Sequence, residues 1–119
     1  MSNLKILPIL TLMLILSTTG CESMNVDNDI PACIEQEIAT MKTGEVRNPP
    51  ASVWQYEYNN QTVYFIPAYC CDLPSVLMDT GCNVLCHPDG GYTGKGDGKC
   101  PDFFDKRTNE TLVWQDDRE

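Results

Sequence analysis

The sequence predicts an α+β domain: one N-terminal helix packed on a small antiparallel sheet (hairpin 52–66), with a disulfide-stapled Gly/Asp-rich loop. Three observations carry this. Apolar side chains over residues 30–41 recur at helical spacing. Two runs of alternating aromatic and polar residues flank Asn59-Asn60. Six cysteines, from Cys33 to Cys100, accompany a glycine-rich stretch too irregular to build a sheet alone.

The helix is expected first. Asp29 can cap it, and Pro31 suits its first turn. Ile30, Cys33, Ile34, Ile38 and Met41 share one face, and Gly44 suits its C-terminus. Asn48-Pro49-Pro50 forbids continuation and leads into extended chain.

The hairpin is the clearest unit. Asn59-Asn60 tolerates the positive φ of a two-residue turn. That turn pairs Tyr58 with Gln61, Tyr56 with Val63 and Trp54 with Phe65, all on one apolar face. Gln55, Glu57, Thr62 and Tyr64 take the other, so the helix is expected on the aromatic face. Further on, 84–86 suggests a short strand, 102–106 a helical turn and 111–114 a last strand.

Charge and length exclude some functions. The 119 residues hold 17 acidic and 8 basic side chains, for a net charge of -9. A nucleic-acid binder needs clustered Lys and Arg, so none is expected to bind. A single histidine leaves little room for a histidine metal centre or relay.

The first residues read as an address. Lys5 precedes an apolar run over 6–16, too short to span a bilayer and fitting a signal peptide over 1–20. Small residues then lead to Cys21. This end resembles the lipobox of bacterial lipoproteins, which implies that the Cys21 thiol is acylated and becomes the mature N-terminus. Residues 21–29 then form a lipidated, polar tether and 30–119 a single domain. Loss of Lys5 takes the net charge to -10, so the acyl anchor, not charge, is the expected membrane attachment.

Setting Cys21 aside leaves Cys33, Cys70, Cys71, Cys82, Cys86 and Cys100, an even number in an exported domain. Three disulfides are expected, with 12 pairings once the strained bond between neighbours is set aside, about the limit of what sequence allows. Any bond of Cys33 ties the N-terminal segment to the later half. A zinc site from these thiols and His87 lacks paired C-x-x-C spacing.

The loop over 86–100 is the expected contact region, with Asp89, Lys95, Asp97 and Lys99 as its charged residues. Its glycines do not match a phosphate loop. Asp89, Asp97 and Asp102 are candidates for a non-EF calcium site, although the EF-hand alternation is absent. His87 has no nucleophile motif beside it, and no catalytic residue or cofactor is expected.

Two resemblances add to this. Residues 86–93 (CHPDGGYT) and Cys100 resemble a segment of Kazal-type protease inhibitors, which implies Lys95 or Lys99 offered to a trypsin-like enzyme. Residues 48–72 and 86–107 are similar to a family of small Bacteroidetes lipoproteins described as a domain of unknown function. That resemblance implies a non-catalytic envelope lipoprotein, lipid-anchored at the outer membrane, with an unidentified envelope protein or ligand as partner.

Overall fold

The computed structural model describes residues 30–70 and 72–119. The expected signal peptide, Cys21, the tether and Cys71 lie outside the described residues. Helix α1 (Ala32–Thr43) precedes the hairpin of β1 (Ser52–Tyr58) and β2 (Gln61–Ile66). Strands β3 (Val76–Asp79) and β4 (Val84–Cys86), the short helix α2 (Phe103–Lys106) and β5 (Thr108–Gln115) follow. The five strands form one antiparallel sheet in the order β4-β3-β2-β1-β5. No described helix is long and apolar enough to cross a membrane.

The hairpin pairs as expected, with Trp54 opposite Phe65, Tyr56 opposite Val63 and Tyr58 opposite Gln61. Asn59 and Asn60 have φ of 52° and 64°, the doubly left-handed turn that matches strand twist. Strand β3 was not expected. Its Val76-Leu77-Met78 core is only four residues with its flanking Asp79, too short to show a period. Strand β5 extends beyond 111–114, and two register shifts against β1 interrupt the alternation that would mark its full length.

The helix lies on the face opposite to the expected one. Ile34, Ile38 and Met41 of α1 pack with Val53, Tyr64 and Ile66. The polar Gln55, Glu57 and Thr62 sit towards the hairpin turn, whereas Val53 and Ile66 make the open end of that same face apolar. The aromatic face is covered instead by the chain after the glycine-rich loop. Phe103 is fully buried there among Tyr56, Tyr58 and Phe65. Its ring meets those of Tyr56 and Tyr58 edge-on, with centroids 5.5 and 5.3 Å away. Helix α1, the sheet and the 86–107 segment are thus three layers, and both sheet faces are covered.

Helix α1 ends differently from the simple caps. Pro31 is its N-cap, with its carbonyl accepting from the Ile34 and Glu35 amides at 2.9 and 3.1 Å. Gly44 is extended rather than left-handed. The exposed carbonyls at this end are met by Arg118, whose guanidinium donates to Met41 and Gly44 oxygens at 3.0 Å each. Asp116, buried beside β1, holds that guanidinium at 2.8 Å. The Arg118 hydrogen bonds keep the Asp116 carboxyl below its ordinary value.

Two disulfides join described cysteines. Cys33–Cys82 ties the start of α1 to the β3–β4 turn, so the N-terminal segment is bound to the later half as expected. Cys86–Cys100 closes the glycine-rich loop at its base. Cys70 is disulfide-bonded as well.

Candidate contact loop

Residues 87–99 leave β4 and return to the buried Cys100 through a series of tight turns. Gly90, Gly91, Gly94, Gly96 and Gly98 all have positive φ. Gly96 is the position where no side chain fits. A Cβ there would overlap the His87 carbonyl oxygen and come within 2.7 Å of Pro88 and 2.8 Å of Asp89 main-chain atoms. This close approach lets Asp97 N–H donate to the His87 carbonyl at 2.9 Å and Gly96 N–H to the Gly90 carbonyl at 3.0 Å. Glycine richness therefore buys compactness here, not freedom.

Side chains fasten the loop from below. Ser75, fully buried at the edge of β3, accepts from the Asp89 amide at 3.0 Å through its hydroxyl. The same hydroxyl donates to the Asp89 carbonyl at 3.1 Å. His87 Nδ1 lies 2.8 Å from the Ser75 carbonyl, so Nδ1 carries a proton and donates. Asp97 accepts from the His87 and Lys99 amides at 3.1 and 3.0 Å. The Lys99 amide bond is the main reason its carboxyl lies below the ordinary range.

These contacts decide what the sequence-predicted residues can do. Asp89, Asp97 and Asp102 are not brought together as a calcium ligand set. Among the described residues no group of three His, Cys, Asp or Glu could hold a metal ion. Asp97 is used by main-chain amides, and Asp102 accepts the Tyr58 hydroxyl. That bond, followed by burial of the ring, pushes the Tyr58 phenol up. The Ser75 hydroxyl is closed onto Asp89, and the His87 ring meets the Ser75 carbonyl instead of its hydroxyl, so these two residues form no nucleophile–base pair.

Lys95 and Lys99 are exposed, but Lys95 stands between Gly94 and Gly96, both left-handed. Its amide turns back to the Thr93 hydroxyl at 3.1 Å. A protease cleft takes an extended strand, so this turn does not support the inhibitor reading. Tyr92 was not singled out by the sequence. It is 90 % exposed at the loop tip, and Leu73, 53 % exposed, is held beside the loop by Gly91 N–H on its carbonyl. The signal available was an aromatic residue set among turn glycines.

Fold and loop together define a small disulfide-stapled α+β domain whose most distinctive surface is a closed, fixed loop. Residues 39–116 match the family model of a domain of unknown function, DUF6970, and the chain belongs to that family. The match takes in the whole sheet and the loop, and leaves out Cys33 and Arg118. No curated protein and no solved structure matches the chain.

Proposed function

We propose that the chain is a non-catalytic bacterial envelope lipoprotein that presents the 86–100 loop to a partner in the envelope. The signal peptide over 1–20 directs export, Cys21 carries the lipid, and residues 21–29 tether the domain. Outer-membrane anchoring follows the resemblance to Bacteroidetes lipoproteins.

One observation carries the contact role: the loop is fixed on both sides yet leaves Tyr92 90 % exposed. A large aromatic side chain on an ordered backbone loses little entropy on binding, the condition for an interface anchor. Lys95 and Lys99 follow it in the same loop as exposed positive charges in an acidic chain.

A photoreactive residue at position 92 of the full chain, activated in intact cells, tests the contact role. A discrete adduct from position 92, absent from the same residue placed at Gln36 on the exposed side of α1, is the expected result. No adduct, or the same adduct from both positions, refutes it. Anchoring is tested separately by labelling with a radioactive fatty acid. Label is expected on the chain and not on Cys21→Ser; a chain without label, or label that survives the substitution, refutes lipidation.

A further inference from the structure

The two disulfides joining described cysteines differ in ways that follow from their places in the fold. Cys86 and Cys100 are 1 % and 9 % exposed and belong to the aromatic core around Phe103. Cys82 is exposed on the β3–β4 turn, and its partner Cys33 is half-buried. The turn displays Cys82 by its own hydrogen bonds. The Asp79 carboxylate accepts from the Gly81 and Asn83 amides, both at 2.9 Å. Cys82 itself is held at φ 72°, which a non-glycine residue adopts only at a cost.

We propose that Cys33–Cys82 is a reducible latch on helix α1, whereas Cys86–Cys100 is a permanent staple. The reductant is a dithiol. One thiolate of the dithiol attacks the exposed Cys82 Sγ, and the Sγ–Sγ bond breaks. Cys33 leaves as a thiolate and takes a proton from water. The second thiol of the reductant, deprotonated, then attacks the mixed disulfide and releases Cys82. Two electrons pass to the protein, and the dithiol becomes a disulfide.

The leaving group favours this direction of attack. Cys33 is the second residue of a 12-residue helix, where the positive end of the helix dipole stabilises a thiolate. Glu35 opposes this from the same turn but is exposed to solvent. Attack on Cys86 or Cys100 requires the aromatic core to open first.

The latch controls the first half of α1. Pro31 gives this end no side-chain cap, and Arg118 holds only the far end, at Met41 and Gly44. Of the first two turns, Ile34 and Ile38 alone are buried. Beneath them lie Val53, Tyr64 and Ile66, an apolar face that a loosened helix uncovers. The device therefore converts reducing conditions into exposure of that face, while the loop closed by Cys86–Cys100 stays intact.

The test uses the full chain, native, in dithiothreitol, with timed alkylation and peptide mass spectrometry; Cys70 and Cys71 are scored apart. Cys33 and Cys82 are expected to be labelled at least about tenfold faster than Cys86 and Cys100, as access controls exchange. Equal rates, or Cys86–Cys100 opening first, overturn the proposal. Hydrogen exchange on the selectively reduced protein supplies the second arm. Amides over 34–38 are expected to lose about tenfold or more in protection while those of β1 and β2 keep theirs. Unchanged protection over 34–38 overturns the latch even if the bond reduces first. Cys33→Ser with Cys82→Ser is expected to reproduce the reduced state without reductant; α1 protection equal to that of the oxidised chain overturns it.

Discussion

Replacing Gly96 with alanine tests whether the loop is built on a close backbone approach. Two costs add. A left-handed residue with a Cβ costs about 1–2 kcal/mol, and Gly96 has φ 71°. The added Cβ also meets main chain on three sides, at His87, Pro88 and Asp89, none of which can rotate away as a side chain would. The turn must open, losing the Asp97-to-His87 and Gly96-to-Gly90 bonds at about 1 kcal/mol each. The total is about 3–4 kcal/mol. Gly98→Ala is the control, since Gly98 has φ 77° but nothing within 4 Å of its would-be Cβ. It should cost only the first part, about 1–2 kcal/mol. Urea unfolding with the disulfides intact reads both. With a slope near 1 kcal/mol/M, Gly96→Ala should unfold about 2 M earlier than Gly98→Ala. Midpoints within about 0.3 M of each other would refute the argument, because the conformational cost alone would then explain both variants.

Phe103→Ala empties the centre of the aromatic layer and should cost about 3–5 kcal/mol in urea unfolding; a loss under about 1 kcal/mol contradicts its place there. Cys86→Ser with Cys100→Ser opens a bridge of sequence separation 14 and should cost about 3 kcal/mol, read the same way; a near-wild-type midpoint contradicts the staple. The Asp116 carboxyl lies below its ordinary 3.8 because of Arg118, so its contribution is present above that value and lost as pH falls through the lower folded one. Arg118→Met should therefore lower stability at neutral pH and flatten the fall below about pH 4 in thermal unfolding. An unchanged acid limb would contradict the pairing.

Much of the architecture was legible because it rests on local pattern. Helix α1 and the hairpin, down to the pairing of Trp54 with Phe65, follow from spacing and from Asn59-Asn60. Which sheet face takes the helix did not follow. The aromatic face has the greater apolar area, but Phe103 claims it from about forty residues further along, a choice made only in three dimensions. Strand β3 was too short to read, and the bulges of β5 broke its period. Arg118 caps carbonyls 74 and 77 residues away, a relation with no local signal. Cysteine spacing predicted bridges but not partners. The sequence marks the loop as the contact region, with its charged residues as the evident candidates. Asp97 turned out to brace the backbone, while Tyr92 became the exposed feature.

A fixed Tyr92 and a permanent Cys86–Cys100 staple both require an ordered loop. Backbone 15N relaxation over 87–99 measures this directly. Order parameters near those of β1 and β2, about 0.85, are predicted despite the glycine content. Values below about 0.6 across Gly90–Gly96 would show a flexible loop and contradict the account.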